Sequence, residues 1–232
     1  MLGLSSFRRI VVLTGAGISQ GAGLPTYRGP GGLWSDPRLA ELSQASAFTS
    51  RRREVAELWW SFRTTLGTIQ PTRAHHALAT FEAALPADAS MTIITQNVDG
   101  LHQRAGSRSV CEYHGSLERW RCERCGTELV PAEGPVPVHC EELMRPAVVA
   151  FGEMIPVGAE HAAKRALREC DLFVAIGTSG TVAPASSFVR WAELNRAPRL
   201  LLNLEVFDGA RDLFSECHVG PADELVPRLF TS

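Results

Sequence analysis

The chain has 232 residues, 45% of them hydrophobic and 21% charged, with a formal net charge of −2. That length and balance suit one α/β domain carrying a small insertion. The charge gives no electrostatic ground for a nucleic acid or an anionic membrane as partner, and no apolar run approaches a membrane span. No signal peptide is read, and six cysteines are too few for a disulfide scaffold, so the expected location is the cytoplasm.

In chain order, residues 9–14 (RIVVLT) read as a short buried strand feeding the tight turn Gly15-Ala16-Gly17. A loop rich in glycine and proline covers 21–34. Residues 51–84 read as helices, because Val55, Leu58, Trp59 and Phe62 fall at helical spacing and Pro71 suits a first turn. Strands are expected at 91–95 and 109–113. Residues 118–145 shift toward Cys, Glu, Pro and Arg, the composition of a small insertion without a large core of its own. The pattern then resumes with a strand at 147–150, a helix at 159–169, a strand at 172–177, a helix at 185–194, a strand at 200–204 and a closing helix at 221–230. Strands alternating with helices predict an α/β fold with a mostly parallel, doubly wound sheet.

Three motifs carry chemistry. Residues 95–102 (TQNVDGLH) follow an apolar run with an amide, a carboxylate, a glycine and an imidazole. Such a strand end suits a crevice at the carboxyl edge of a sheet. The Gly15–Gly17 turn is placed to open a helix whose backbone N–H groups could face a pyrophosphate. It departs from the dinucleotide fingerprint, since a third glycine would fall at Gln20 and glycines come at 21 and 23 instead. The usual ribose-binding acid is also missing, and Asn203 and Glu205, at a later strand end, offer an amide and a carboxylate for that role. Cys122-Glu123-Arg124-Cys125 has metal-ligand spacing, half of a zinc ribbon.

Gly15-Ala16-Gly17-Ile18-Ser19, Gly23-Leu24-Pro25-Thr26-Tyr27-Arg28-Gly29, residues 95–106, His114-Gly115-Ser116-Leu117, Arg145-Pro146, Phe151-Gly152-Glu153 and Gly177-Thr178-Ser179 together resemble the sirtuin family in order and spacing. The likeness covers nearly the whole chain. Sirtuins are NAD-dependent protein-lysine deacylases, so the resemblance implies one catalytic domain over 1–232. Its Rossmann-like part, a mostly parallel sheet with helices on both faces, would take 1–30, 85–117 and 145–232. A small module would combine helical 31–84 with zinc-ribbon-like 118–144. NAD is the implied cofactor, held by Gly15, Ala16, Gly17, Ile18, Thr26, Tyr27, Arg28, Gln96, Asn97, Asp99, Gly177, Thr178, Ser179, Asn203 and Glu205.

By the same resemblance Asn97 and Asp99 lie at the nicotinamide, and His114 is the general base that takes a proton from a ribose hydroxyl. The alternative is that Asn97 and Asp99 only cap a following helix. His102 is expected to pack or hydrogen-bond. Tyr27 stands where the family usually has Phe. Val148, Val149, Phe151 and Gly152 would line the channel in which an acyl-lysine peptide adds as an extended strand. The implied partners are acyl-lysine proteins or peptides, with neither nucleic acid nor membrane, and a monomer is expected.

Two places depart from the family. Cys140 matches the last zinc ligand, but Pro137 stands where another cysteine belongs. A structural zinc would rest on Cys122, Cys125 and Cys140, with His139 the nearest substitute. Adjacent His139 and Cys140 make awkward tetrahedral partners, and a metal-free module is the alternative. Thr26 resembles the subgroup that removes succinyl, malonyl and glutaryl groups. That subgroup's Tyr-x-x-Arg clamp for the acyl carboxylate falls on Trp60-Ser61-Phe62-Arg63, with Trp60 for Tyr. Trp60 in the helix core and Arg63 as a surface charge is the alternative. The activity expected is release of nicotinamide and O-acyl-ADP-ribose; a NAD hydrolase or ADP-ribosyltransferase on the same scaffold is the rival.

Overall fold

Positions 10–14 of β1 (Arg9–Thr14) are all buried, which puts this strand at the centre of a sheet. The computed structural model describes residues 4–27, 31–180 and 182–231. After β1 come α1 (Pro37–Leu42), α2 (Ala45–Ser50), α3 (Arg52–Thr68) and α4 (Arg73–Ala84). The Asp36 carboxylate accepts from the Arg38 amide at 2.8 Å and starts α1, with Pro37 in its first turn. Pro71 lies outside α4, contrary to the sequence reading. The start is set instead by a capping box in which Thr72 accepts from the His75 amide and His75 Nδ1 from the Thr72 amide.

The chain continues through β2 (Ser90–Thr95), α5 (Leu101–Arg104), β3 (Val110–Glu112), β4 (Gly115–Arg121), β5 (Glu128–Leu129), β6 (Val138–His139), β7 (Glu142–Leu143) and β8 (Arg145–Val148). It ends with α6 (Val157–Arg168), β9 (Leu172–Ile176), α7 (Phe188–Leu194), β10 (Arg199–Asn203), α8 (Ala210–Leu213), β11 (Glu216–Val219) and α9 (Ala222–Leu229). Six strands form one sheet in the order β11-β10-β9-β1-β2-β3, with every pairing parallel.

Because successive side chains of a strand face opposite sides, β1 serves two cores. Val11 and Leu13 pack with Phe173, Leu201 and residues of α6 and α7, such as Leu167 and Phe188. Ile10 and Val12 pack with Ile93, Leu202 and residues of α4 and α9, such as Leu78 and Val226. Burying a side chain of this size contributes about 1.5–3 kcal/mol, so alternation along the strands stabilises both faces together. A third core joins Leu42, Phe48, Val55 and Trp59 to Leu117, Trp120, Met144 and Val148. The insertion therefore shares a core with α1–α3.

The strand expected at 147–150 is Arg145–Val148, and it pairs antiparallel with β4 in a separate three-stranded sheet. Sequence polarity concealed its start: Arg145 is only 3% exposed, its charge met by Glu153. Among the described residues no helix is long and apolar enough to cross a membrane.

Candidate active site

Strand order reverses between β1 and β9, so the loops leaving their carboxyl ends diverge and open a crevice. The glycines there have a packing reason. The Gly15 amide donates to the Ile176 carbonyl at 3.0 Å, and the Gly17 amide to the Gly177 carbonyl at 2.9 Å. A Cβ on Gly15 would lie 2.7 Å from Gly177 O, and one on Gly17 would lie 2.6 Å from Gly177 Cα. On Gly177, whose φ is +59°, a Cβ would meet Ile18 N at 2.5 Å. The two turns interlock, and only glycine fits. Residues 16–22 form two short 3₁₀ turns rather than the α-helix that the sequence suggested. Of the amides of residues 15–19, those of Gly15, Gly17, Ile18 and Ser19 are donated within the protein.

Above the turn lies a cavity of about 560 Å³. Gly15, Ala16, Gly17, Thr26, Tyr27, Gln96, Asn97, Gly177, Thr178, Ser179, Asn203 and Glu205 line it, together with His114, Val148, Val149, Phe151 and Gly152. Two of the expected cofactor residues do not line it. Ile18 is fully buried in the core beneath the sheet, because the 3₁₀ turn points its side chain inward. Asp99 is turned into the protein. Arg28 lies outside the described residues.

Asp99 Oδ2 accepts from the Ser19 hydroxyl at 2.8 Å, and Oδ1 accepts from the Leu101 amide at 3.0 Å. The carboxylate thus starts α5 and holds Ser19. Burial raises its pKa, while those two hydrogen bonds act the other way. Asn97 Nδ2 in turn donates to Gly15 O at 3.1 Å and to Ser19 Oγ at 3.3 Å. Sequence reasoning assigned Ser19 no role; its motif position was the only signal. Asn97 is 3% exposed, and its Oδ1 has no hydrogen-bond partner. An unmet buried acceptor costs about 1–3 kcal/mol. A ligand amide N–H would recover it, so this wall suits a carboxamide such as that of NAD.

His114 sits in the turn between β3 and β4. Gly115 there has φ +78°, and a Cβ on it would lie 2.1 Å from Ala147 O, so only glycine lets β4 close on β8. His114 Nδ1 is 3.0 Å from the Gln96 carbonyl. A carbonyl only accepts, so Nδ1 carries the hydrogen and Nε2 keeps a lone pair. Burial lowers the imidazole pKa, and the Gln96 carbonyl offsets part of that. At neutral pH the ring is uncharged and basic at Nε2.

Segment 149–153 is held from both sides. The Val149 amide donates to His114 O, the Phe151 amide to Ser43 O, and the Phe151 carbonyl accepts from Ala45, each at 2.9 Å. Aromatic rings close this end: Tyr27 stacks on Trp34 at 5.3 Å, and Trp34 meets Phe151 edge-on at 5.2 Å. Burial raises the Tyr27 pKa, with the Asp99 charge adding to it, so the phenol stays neutral.

The Trp60–Arg63 clamp is overturned. The Trp60 indole N–H donates to Gly134 O at 2.9 Å, and Arg63 donates to Pro131 O at 2.5 Å while covering the Trp60 ring at 4.9 Å. Both side chains pin the insertion to α3, and neither lines the cavity. Trp59 lines it instead. One residue along a helix is about 100° of rotation, and Val55, Ala56 and Trp59 form the buried face.

The sequence profile of the Sir2 family matches residues 15–184. The chain belongs to the Sir2 family. The NAD-dependent protein deacylase 2 of Pyrobaculum aerophilum is 41% identical over 234 residues, covering 97% of this chain and 91% of that protein. A Sir2 homologue solved in complex with ADP-ribose superposes with a TM-score of 0.90 at 33% identity, covering 98% of this chain and 92% of the other. A Sir2 structure with a deacetylated peptide and 3′-O-acetyl-ADP-ribose has a TM-score of 0.82 at 28% identity, covering 96% and 92%.

This Sir2 chain also brings Cys122, Cys125, His139 and Cys140 together, with their ligand atoms all within 4.8 Å of one another. His139 Nδ1 is 3.4 Å from Cys125 Sγ and 3.2 Å from Cys140 Sγ. Those spacings suit the edges of a tetrahedral site, and three thiols with one imidazole are a donor set that could hold zinc. Adjacent His139 and Cys140 converge because Cys140 and Glu141, the turn between β6 and β7, have φ of 51° and 67°. The left-handed turn breaks the strand alternation that would have sent the two side chains to opposite faces.

Proposed function

We propose that this chain is an NAD-dependent protein-lysine deacylase. It converts acyl-lysine, NAD and water to lysine, nicotinamide and O-acyl-ADP-ribose. One observation carries the reading: the free Nε2 of His114, the unmet Oδ1 of Asn97 and segment 148–152 share one cavity. When bound, NAD supplies an electrophilic ribose carbon and nicotinamide as its leaving group.

Asn97 Oδ1 would accept from the nicotinamide carboxamide, and Asp99 acts through Ser19 to hold Asn97 in that orientation. The Ala16 amide, left over when its neighbours donate internally, would hold a phosphate. Asn203 and Glu205, at the end of β10, address the second ribose. An acyl-lysine peptide would add as an extended strand along 148–152, which would bring its acyl oxygen toward the ribose carbon. Tyr27, stacked on Trp34, screens that carbon from water. His114 Nε2 would hold the proton of a hydroxyl on the bound ribose, the group that receives the acyl chain.

Cys122, Cys125, His139 and Cys140 would hold a structural zinc that fastens the β6–β7 turn. Among the described residues no cysteine is paired in a disulfide, which suits the reducing cytoplasm.

The test incubates the protein with NAD and an acetyl-lysine peptide. Peptide-dependent release of nicotinamide matched by O-acetyl-ADP-ribose is expected. His114→Ala should lower it by about 10²-fold or more while leaving NAD affinity, measured by calorimetry, within a few-fold. Free ADP-ribose formed without peptide would overturn the reading in favour of NAD hydrolysis.

A further inference from the structure

Segment 148–153 forms one wall of the cavity, and its backbone is gripped by a residue that does not line that wall, Arg145. The Arg145 guanidinium donates through Nη2 to the Val148 carbonyl at 3.0 Å. Both Nη atoms also hold the Glu153 carboxylate, at 2.6 and 3.0 Å. Glu153 Oε2 in turn accepts from the Ala150 amide at 2.8 Å. Two side chains thus fix three points of this short stretch, in addition to the ties from Val149 to His114 and from Phe151 to Ser43.

We infer that Arg145 is a positioning residue for the acyl-lysine peptide: it presets the backbone along which that peptide adds, and Glu123 extends the hold to the Cys122–Cys125 turn. The inference rests on the deacylase reading. Arg145 Nη1 lies 3.3 Å from Glu123 Oε1. Arg52 of α3 pairs with Glu123 at 3.2 Å and with Glu142 of β7 at 2.6 Å, and the Arg145 guanidinium covers the Phe48 ring of α2 at 3.8 Å. A buried ion pair is poor ground for stability, since apolar residues of similar volume often serve as well. What the pair provides is geometry. A guanidinium is a rigid planar fork that holds a carbonyl and a carboxylate at set positions, where a lysine offers one mobile point charge. Without the fork, Val148 O and Glu153 lose their common partner, and the incoming peptide must order the wall itself. The residues expected at NAD, such as Gly15, Gly17, Asn97 and Asn203, lie on other loops, so the cost falls on the peptide.

The experiment compares the parent chain with Arg145→Lys and Glu123→Gln. It measures the Kd of a labelled acetyl-lysine peptide by fluorescence polarisation, the Kd of NAD by calorimetry, and kcat and peptide KM at saturating NAD. Arg145→Lys is expected to raise peptide Kd and KM by about tenfold or more, with kcat and NAD Kd within about threefold. Glu123→Gln keeps its shape outside the cavity, and is expected to raise peptide Kd by about threefold with NAD Kd unmoved. It carries the test if Arg145→Lys does not fold. Unchanged peptide affinity in folded Arg145→Lys, or equal weakening of peptide and NAD, overturns the positioning role. Unchanged peptide affinity in Glu123→Gln overturns the link to the cysteine turn and, where Arg145→Lys does not fold, the whole inference. Absence of peptide-dependent nicotinamide release by the parent chain overturns the deacylase reading, and the inference with it.

Discussion

His114 needs only one hydrogen bond to become a base with a defined lone pair. The Gln96 carbonyl fixes hydrogen on Nδ1, and burial keeps the ring neutral. A histidine whose folded pKa falls below its ordinary 6.5 is fully active above that value and is lost as pH drops through the depressed pKa. The acid limb of kcat/KM for deacylation is therefore expected below pH 6.5, with a flat profile from 7 to 8. A one-proton limb centred at or above 6.5 would remove His114 as the titrating base. Asn97 is the complementary case: its amide N–H group is spent on Gly15 and Ser19, and its oxygen is kept for a ligand.

At the scale of elements, the β6–β7 turn and the interlocked glycines work in opposite ways. Gly15, Gly17 and Gly177 relieve crowding by having no Cβ. Cys140 and Glu141 adopt a left-handed turn with side chains present, at about 1–3 kcal/mol each. Convergence of the four side chains on one metal would offset that strain. One zinc per chain is expected by elemental analysis, and cobalt substitution should give the absorption of a tetrahedral thiolate site. His139→Ala should weaken zinc binding by more than tenfold in competition with a chromophoric chelator, and Pro137→Cys should raise it. A purified chain that binds no metal, with unfolding unmoved by chelator, would leave the module metal-free.

The whole molecule carries a pH dependence remote from the reaction. His75 on α4 and His102 on α5 meet edge-on at 4.7 Å, where the helices cover the end of β1, and His102 Nε2 contacts Thr14 Oγ1 at 2.9 Å. Burial pushes His75 down to about 4 and His102 well below 6.5. The unfolded chain binds these protons near 6.5 and the folded chain does not, so stability is full above that pH and falls below it. From His75 alone the loss by pH 4 is on the order of 3 kcal/mol. Thermal midpoints measured from pH 7 to 4.5 should decline, and His75→Gln should flatten the curve. An unchanged slope in that variant would show that His75 is protonated in the folded state.

Strands β1, β2, β9 and β10 were legible because unbroken apolar runs have no other economical place than a sheet covered on both faces. The motifs holding Asn97, His114 and Gly177 were legible because polar groups and glycines at strand ends mark where such a sheet binds ligands. Strand β4 was missed: Glu118, Arg119 and Arg121 belong to a small sheet with a wet face, and their charges read as loop. Edge strand β11 was missed because neither end of Glu216–Val219 is buried. Sequence by itself therefore determined the fold class, the family and which histidine lines the cavity, all of which follow from local pattern and motif order. Tertiary structure alone decided that Trp59 rather than Trp60 faces the cavity, that Asp99 acts from behind Ser19, and that His139 joins Cys140. Each depends on which way a side chain turns, and that is set by partners distant in the chain.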